Sequence, residues 1–186
     1  MRAVEVRIER LVGHHAVDGF SCGQTELDVY LQRHALSNQS MRLSTTYVAL
    51  VGSRVTGFVT LAPSQISSAE LPSPARRGLP RYPLPTMTLA RLASDLEWRG
   101  AGVGLLLLRH AFLEAARMAA EFGCLGVRVA AKPDALGFYE RFGFVRLEPT
   151  TGAPVDASEQ LTHLFLPLDR IEDALRPRGD GRRPVA

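Results

Sequence analysis

The chain has little cysteine, a single lysine and no long hydrophobic run, and these shortages exclude several classes of protein. Its two cysteines, Cys22 and Cys124, lie far apart without metal-ligating neighbours at the usual spacing, which argues against a disulfide scaffold or a zinc site. No apolar run approaches the roughly 18 residues of a membrane-spanning helix. Residues 1–9 alternate charged with small and aliphatic side chains, unlike a secretion signal. We therefore expect a cytoplasmic protein that uses neither a metal nor a membrane.

The remaining composition is that of one compact domain. The 186 residues are 46% hydrophobic and 22% charged, which is enough apolar material to bury a core. We expect a single domain over residues 1–170. Residues 171–186 are expected to form a flexible basic tail, because the sequence from Arg176 onwards is rich in proline, glycine and charge and has almost no apolar residues.

Positive charge is concentrated in the middle of the chain. Residues 29–94 contain seven arginines against Glu70 alone, a net charge of +6, and every basic residue of the chain except Lys132 is arginine. A surface that binds a polyanion needs such a block. The alternative is that these arginines spread over several faces and pair with acidic residues from elsewhere, and the sequence leaves both readings open.

Hydrophobic periodicity predicts strands that alternate with helices. Strands are expected at residues 3–10, 45–51, 55–61, 86–93, 125–130, from 143 onwards and at 162–168, and helices at 27–36, 102–123 and 133–142. Residues 63–85 contain six prolines and are expected to form a long irregular loop. This order predicts an α/β or α+β sheet with helices on its faces.

The helix at 102–123 has the clearest pattern. Apolar residues, Leu105 and Phe122 among them, recur every three or four positions and predict its buried face. His110 belongs to the polar stripe of the same helix, and we expect it to be solvated rather than catalytic.

A glycine-rich segment leads into that helix. Gly100, Gly102 and Gly104 let the backbone approach a ligand, and the first N–H groups of a helix lack internal partners at the positive end of its dipole. These features predict a cradle for a pyrophosphate, with Arg99 at its rim. The glycine spacing disfavours a Rossmann turn, and the lack of lysine here disfavours a P-loop. A turn that binds no ligand stays an alternative.

Two motifs resemble the signatures of the GNAT acetyltransferases. Residues 99–104 read Arg-x-x-Gly-x-Gly and residues 135–144 read Ala-Leu-Gly-Phe-Tyr-Glu-Arg-Phe-Gly-Phe, and the two motifs flank one helix and one strand, as that fold requires. Further segments resemble the TacT/AtaT-like toxins of toxin–antitoxin pairs, namely Phe20-x-Cys-Gly and residues 27–31, 79–85 and 89–93. The resemblance covers about residues 4–168.

The resemblance implies a fold, a reaction and partners. The fold is α/β (α+β), with a central mixed, mostly antiparallel sheet that is splayed between its fourth and fifth strands and flanked by helices. The reaction is acetylation of the α-amino group of aminoacyl-tRNA with acetyl-CoA as co-substrate, the partner is a ribbon-helix-helix antitoxin, and a homodimer is common. The residues assigned to acetyl-CoA are Leu92, Ala93, Arg99, Gly100, Ala101, Gly102, Val103 and Gly104. The chain departs from many GNAT enzymes at Lys132, where they have asparagine, and this puts one pantetheine contact in doubt.

Tyr139 is the predicted catalytic residue. Its reference pKa of about 10 lies above the roughly 8.5 of a thiol, so at neutral pH it stays protonated and can donate to the leaving sulfur. No carboxylate or histidine stands out as a general base, which favours an aminoacyl α-amine, with a reference pKa of about 8, over lysine at about 10.4 as the acceptor.

The arginines that we expect to contact tRNA phosphates are Arg76, Arg77, Arg81 and Arg91. Two further functions stay open at this point. One is acetylation of a small amine, a peptide or a protein, and the other is a non-catalytic module that binds acetyl-CoA.

Overall fold

The computed structural model describes residues 5–148 and 161–176. Its strands are β1 (Arg7–Arg10), β2 (Thr45–Val51), β3 (Arg54–Ile66), β4 (Leu84–Ser94), β5 (Gly126–Ala131), β6 (Val145–Arg146) and β7 (Thr162–Pro167). Its helices are α1 (Thr25–Val29), which continues through a π-helical turn at Tyr30–His34 into α2 (Ala35–Ser40), then α3 (Val103–Glu121), α4 (Leu136–Arg141) and α5 (Leu168–Leu175). No helix in the described part of the chain is long and apolar enough to cross a membrane.

All of these strands form one sheet in the order β1-β2-β3-β4-β5-β7-β6. Neighbouring strands run antiparallel except β4 and β5, which run parallel. The β4–β5 ladder has three residue pairs, from Met87 with Val127 to Leu89 with Val129. Beyond Leu89 the two strands diverge, while β4 stays paired with β3 as far as Ser94. The predicted mixed sheet, splayed between its fourth and fifth strands, is confirmed.

The two faces of the sheet carry different layers. Alternate residues of a strand point to opposite faces, so Val59 packs under α3 whereas Phe58 packs under the segment from α1 to α2. The face of the α1–α2 segment also carries the loop from residue 67 to residue 83. Leu71 in this loop packs with Phe165, whose neighbours on β7 lie in the α3 core. The sheet is therefore covered by α3 on one face and by α1, α2 and the loop on the other.

Close packing at Gly57 sets the position of the α3 N-terminus. A Cβ atom on this residue of β3 would lie 2.7 Å from Val103 Cγ1 and 2.9 Å from the Ala93 carbonyl oxygen. A larger residue does not fit at such distances, so glycine lets the first turn of α3 sit directly on the sheet. The start of α3 is thereby held beside the end of β4, next to the point where the sheet opens.

The proline-rich region is shorter than predicted. Pro63 lies inside β3 and Pro85 inside β4, so the two strands extend to Ile66 and from Leu84, and the loop is confined to residues 67–83. Because β2 ends opposite Leu61, β3 has a free edge at Pro63, and a residue without an N–H is tolerated there.

The buried face of α3 also differs from the prediction. Leu105 is 49% exposed because it lies two residues past Val103, about 200° round the helix from the face that meets the sheet. Phe122 is 82% exposed because it caps the helix with φ −132° and no longer follows its period. His110, which was expected to be solvated, is half-buried, and its ring centre lies 4.2 Å from that of Tyr47.

The chain continues as a helix beyond the expected domain boundary at residue 170. Ile171 is fully buried in the α3 core, because α5 is amphipathic and turns this side chain inward. Residues 171–175 thus belong to the fold rather than to a tail. Residues 177–186 of the predicted tail, and residues 1–4 at the predicted start of β1, lie outside the described residues.

Candidate functional site

The divergence of β4 and β5 opens a cavity of about 400 Å³. One wall comes from α1 and the residue before it, a second from β4, and a third from β5 and the segment that leads to α4. The lining residues are Gln24, Glu26, Leu27, Leu89, Ala90, Arg91, Leu92, Val129, Ala130, Ala131, Lys132, Asp134, Ala135, Tyr139 and Leu161. Predicted site residues from β4 and α4 therefore meet at one cavity.

A bulge at Ala90 shapes the β4 wall. Leu89 pairs with Leu61 and Arg91 with Thr60, so Ala90 is an extra residue without a partner on β3. The extra residue reverses the alternation of side chains, because Leu89 packs in the α3 core and Arg91 reaches the opposite face. The bulge thus brings Arg91 to the cavity from the side of α1.

Leu92 and Ala93 lie where β4 has left β5. They pair with Val59 and Phe58 on β3, but within the described residues the ladder to β5 ends at Leu89. The backbone groups on the open edge of this part of β4 consequently have no strand partner. Fixed N–H groups at such an edge are donors for an oxygen that gains negative charge.

The glycine segment before α3 is open and uncapped. Gly100 has φ +76° and Gly102 has φ +83°, and no atom lies within 4 Å of a Cβ built on either. No side chain of the described residues caps α3, and its first turn has no acidic residue. The N–H groups of Val103 and Gly104 are therefore available to an anion at the positive end of the helix dipole. These residues fit the diphosphate of coenzyme A.

Arg99 has a hydrogen-bond partner within the protein. Its Nη2 atom donates a hydrogen bond of 2.7 Å to the carbonyl oxygen of Cys22, in the segment that precedes α1. Ala101, by contrast, lies in the exposed turn between the two glycines with positive φ. The sequence gives no signal for this partner of Arg99, which lies 77 residues away.

Tyr139 contributes an aromatic wall and a hydroxyl group. It is 6% exposed, and its ring packs edge-on against Phe138 and Phe144, with centres 5.2 and 5.4 Å apart. Burial raises the pKa of its phenol above the ordinary value. The hydroxyl therefore holds its proton throughout the neutral range, as a donor to a leaving thiolate must.

The four predicted tRNA-binding arginines have different surroundings. Arg76 donates to Glu148 at 2.7 Å and is partly neutralised, as the alternative reading of the basic block expected. Arg91 lines the cavity. Arg77 and Arg81 are exposed on the loop that covers the same face as α1 and α2. The structure thus separates one arginine that is paired with a carboxylate from one at the cavity and two that are exposed on the loop.

Sequence reasoning missed three polar residues of the cavity, Gln24, Glu26 and Asp134, and named Lys132 only as a departure from the family pattern. Glu26 on α1 and Lys132 after β5 form an ion pair at 3.7 Å that links two walls of the opening. Gln24 and Asp134 line the same cavity. The available signal was their position in sequence, because Gln24 and Glu26 lie between two segments that carry the resemblance and Asp134 directly precedes the second motif.

The two cysteines are not reactive groups. Both are buried, and burial together with the neighbouring Asp28 raises the pKa of the Cys22 thiol to about 11. In the part of the chain that the structure describes, no group of three or more His, Cys, Asp or Glu side chains could hold a metal ion.

Comparisons with known proteins agree on one family. The family model described as acetyltransferase (GNAT) domain matches residues 42–146. A tRNA-acetylating toxin of Mycobacterium tuberculosis is 37% identical over 135 residues, which are 72% of this chain and 80% of that protein.

Solved structures give the same result. AtaT complexed with acetyl-methionyl-tRNAfMet matches with a TM-score of 0.81 and 27% identity, covering 92% of this chain and 100% of that chain. A tyrosine-to-phenylalanine mutant of the AtaT toxin, bound to the C-terminus of the antitoxin AtaR and to acetyl-CoA, matches with a TM-score of 0.75 and 25% identity over 92% of this chain and 99% of that chain.

Proposed function

Because this chain belongs to the GNAT acetyltransferase family, we propose that it acetylates the α-amino group of aminoacyl-tRNA and is neutralised by a ribbon-helix-helix antitoxin. One observation carries the proposal: a single opening in the sheet adjoins an uncapped helix N-terminus, an unpaired strand edge, a protonated tyrosine and an arginine. The curated relative is named for tRNA acetylation, and the matched AtaT structure holds an acetylated methionyl-tRNA.

Binding of the co-substrate falls to the backbone before and within the first turn of α3. The N–H groups of Gly102, Val103 and Gly104 hold the diphosphate, and the positive φ of Gly102 turns the chain so that they point outward. Acetyl-CoA, once bound, supplies an activated thioester. The neighbouring edge of β4 then receives the extended arm of coenzyme A, in the place that β5 leaves open.

Leu92 and Ala93 stabilise the charge that develops during transfer. Their backbone amides belong to a strand that β3 holds in place, so an N–H on the open edge is preorganised. A donor that needs no reorganisation stabilises a developing oxyanion more than water does, and removal of one such donor costs about 100-fold or more in rate in other acyl-transfer enzymes.

Tyr139 donates the proton that the departing sulfur requires. Burial keeps its phenol protonated, and the residue belongs to the lining of the cavity, which supports this role. Because the pKa of the phenol lies above that of the thiol, the phenol donates to the sulfur as it takes up the proton that the attacking amine nitrogen loses on forming the amide bond, so no free phenolate accumulates.

The acceptor needs little activation by the protein. An aminoacyl α-amine has a reference pKa of about 8, which is lower when the amino acid is esterified, so at neutral pH roughly a tenth or more is unprotonated and can attack without a dedicated base. Arg91 at the cavity, with Arg77 and Arg81 on the covering loop, supplies sequence-independent attraction for the phosphates of the tRNA end.

The test is direct acetylation of charged tRNA. Purified protein is incubated with acetyl-CoA and a mixture of aminoacyl-tRNAs, the tRNA is digested with ribonuclease, and the aminoacyl-adenosine fragments are analysed by mass spectrometry. We expect N-acetylated aminoacyl-adenosine and arrest of an in vitro translation reaction that depends on acetyl-CoA. Acetylation of lysine peptides or small amines without modification of charged tRNA would contradict the proposal, and so would binding of acetyl-CoA without turnover.

The antitoxin part of the proposal has its own test. A small reading frame beside the gene, predicted to encode a ribbon-helix-helix protein, is co-expressed with the chain. We expect the two products to co-purify and acetylation to stop in the complex. Full activity of the chain in the presence of that product would contradict this part alone.

A further inference from the structure

Arg99 connects the glycine segment to a different part of the site. Its guanidinium donates to the carbonyl oxygen of Cys22, which precedes α1, at 2.7 Å. The residue after Cys22, Gly23, has φ +80°. A Cβ atom on Gly23 would lie 3.5 Å from Arg99 Nη2 and 3.3 Å from Leu96 Cδ2. The two segments are therefore in close contact around a charge-assisted hydrogen bond.

Further hydrogen bonds join the same two segments. The Leu96 N–H donates to the Ser21 carbonyl at 2.9 Å, and the Ser21 N–H donates to Asp95 Oδ2 at 3.2 Å. Asp95 is only 3% exposed, and its other oxygen accepts from the Glu97 N–H. The turn between β4 and α3 is thus fastened to residues 21 and 22 along its length.

Residues 21 and 22 are in turn fastened to α1. Asp28 accepts from the Cys22 N–H at 2.8 Å through Oδ1 and from the Ser21 hydroxyl at 2.9 Å through Oδ2. The segment and the helix consequently move as one unit. Gln24, Glu26 and Leu27 of this unit form the cavity wall that faces β5.

The wall lies on the acceptor side of the opening. The α1–α2 segment covers the sheet face opposite α3, which is the face to which the Ala90 bulge sends Arg91. The uncapped N-terminus that fits the diphosphate belongs to α3 on the other face. On the proposed function the diphosphate takes the α3 face, which leaves the α1 wall on the opposite face for the acceptor.

We propose that Arg99 is a positioning residue, which fixes the acceptor wall of Gln24, Glu26 and Leu27 through its hydrogen bond to the Cys22 carbonyl rather than holding the diphosphate. The proposal rests on the function given above for the identity of the acceptor as aminoacyl-tRNA. Without the bond, the 21–24 segment and α1 sample other arrangements, and the apparent affinity for the acceptor falls with the fraction of correctly placed wall.

The expected kinetic effect is selective. Loss of one hydrogen bond to a charged group corresponds to about a tenfold change in the equilibrium between the placed and the displaced wall. KM for aminoacyl-tRNA in Arg99→Ala should therefore rise by the factor by which the placed fraction falls, with about tenfold as the upper limit. At saturating concentrations of aminoacyl-tRNA, binding shifts the whole population to the correctly placed wall. The kcat of Arg99→Ala should therefore stay close to that of the parent protein. The dissociation constant of coenzyme A, measured by calorimetry, should also stay unchanged.

Two further variants complete the kinetic test. Arg99→Lys keeps a charged donor and should restore most of the acceptor KM, and Arg170→Ala removes an exposed arginine on α5 as the matched control. A rise in the coenzyme A dissociation constant with an unchanged acceptor KM would identify Arg99 as a diphosphate ligand and overturn the proposal. Equal loss of both, or no change in either, would overturn it as well.

Hydrogen exchange needs no enzymatic turnover, so it tests the role of Arg99 independently of the proposed function. Hydrogen exchange of the amides of residues 20–28 should accelerate in Arg99→Ala and Arg99→Lys should largely suppress the effect, while exchange in α3 stays the same. Unchanged exchange at 20–28 would overturn the positioning role even in an active enzyme. Faster exchange in a chain that acetylates no aminoacyl-tRNA would retain the role of Arg99 and reject only the identity of the acceptor.

Discussion

The guanidinium carbon of Arg91 lies 3.6 Å from the ring centre of Tyr30. A cation held over an aromatic ring is attracted to the ring face, and here the contact joins β4 to the helical segment from α1 to α2. The contact depends on the bulge at Ala90, because regular alternation after Leu89 would turn residue 91 into the α3 core. An arginine at the opening of the sheet is therefore fixed in direction before any substrate arrives.

The first prediction concerns this arginine. Arg91→Ala should raise KM for aminoacyl-tRNA and reduce the slope of log affinity against log salt by about one, because a single phosphate contact is lost. Tyr30→Phe keeps the ring beneath the guanidinium and serves as the control, with a small effect expected. Binding measured by filter retention at several salt concentrations checks the slope. An unchanged slope in Arg91→Ala would exclude a phosphate contact.

The exposed loop arginines give the second prediction. Charge reversal of both Arg77 and Arg81 to glutamate should weaken use of the tRNA acceptor and leave the affinity for acetyl-CoA intact, because the loop and the α3 N-terminus lie on opposite faces of the sheet. Kinetics with the tRNA acceptor and calorimetry with acetyl-CoA measure the two effects. The matched control reverses Arg109 and Arg170, which are exposed on α3 and α5. Equal losses of both affinities count against the prediction.

Removal of one oxygen atom tests the catalytic role of Tyr139. Tyr139→Phe should lower kcat by about 100-fold or more, because proton donation to the sulfur is lost, while the coenzyme A affinity stays the same. The ring still packs against Phe138 and Phe144, so the melting temperature should not fall. Thiol release and fluorimetric melting check the two statements. Tyr82→Phe changes an exposed tyrosine and should leave both kcat and the melting temperature unchanged. A fully active Tyr139→Phe protein would exclude Tyr139 as the proton donor.

The close packing at Gly57 gives a stability prediction. Gly57→Ala places a methyl group against Val103 and the Ala93 carbonyl, so the start of α3 must shift, at a cost of about 1–3 kcal/mol in the free energy of unfolding. Coenzyme A binding should weaken as well, because the N–H groups of the first turn move with the helix. Urea unfolding and calorimetry measure both. Gly19→Ala is the control, since no atom lies within 4 Å of its Cβ, and identical behaviour of the two variants would contradict the prediction.

Acid sensitivity is expected from His110. Burial lowers the pKa of this imidazole, with Arg117 acting in the same direction and Glu114 against it. The unfolded chain therefore binds the proton more tightly than the folded one, so the contribution is fully present above the unfolded pKa of about 6.5 and is lost as the pH falls below it.

Urea midpoints measured on both sides of that pKa test this expectation. The midpoint should fall in the acidic range, and His110→Gln should flatten that part of the dependence whatever its effect at neutral pH. His163→Gln changes an exposed histidine on β7 and serves as the control. Parallel profiles for the parent protein and His110→Gln would show that another group is responsible.

Local patterns predicted the local structure well. The hairpin of β2 and β3, the long helix α3 and the short helix after Pro133 lie where periodicity and turn residues place them, because their hydrogen bonds join residues close in sequence. The opening between β4 and β5 followed from the family resemblance. The bulge at Ala90 was not predicted, because the apolar residues from Leu84 to Ala93 follow no single period that would mark one extra residue.

Partners distant in sequence could not be predicted. The bond from Arg99 to Cys22, the pairing of Arg76 with Glu148 and the contact of His110 with Tyr47 each join segments that tertiary folding brings together. A single sequence shows the charge of each side chain and its position in a repeating pattern. It does not show which distant residue that side chain contacts after folding. An arginine in a phosphate motif was therefore assigned to phosphate, although its nearest acceptor is a backbone carbonyl.

The short ladder between β4 and β5 has a mechanical consequence. Three residue pairs and the hydrogen bond from the Leu125 N–H to the Pro85 carbonyl oxygen join the two halves of the sheet, and beyond Leu89 the seam is open. A bound molecule that contacts both strands in the open part adds a link between the two halves of the sheet. Resistance of this protein to heat and to proteases should thus be greatest in the presence of its co-substrate, with the seam as the first place to part when that molecule leaves.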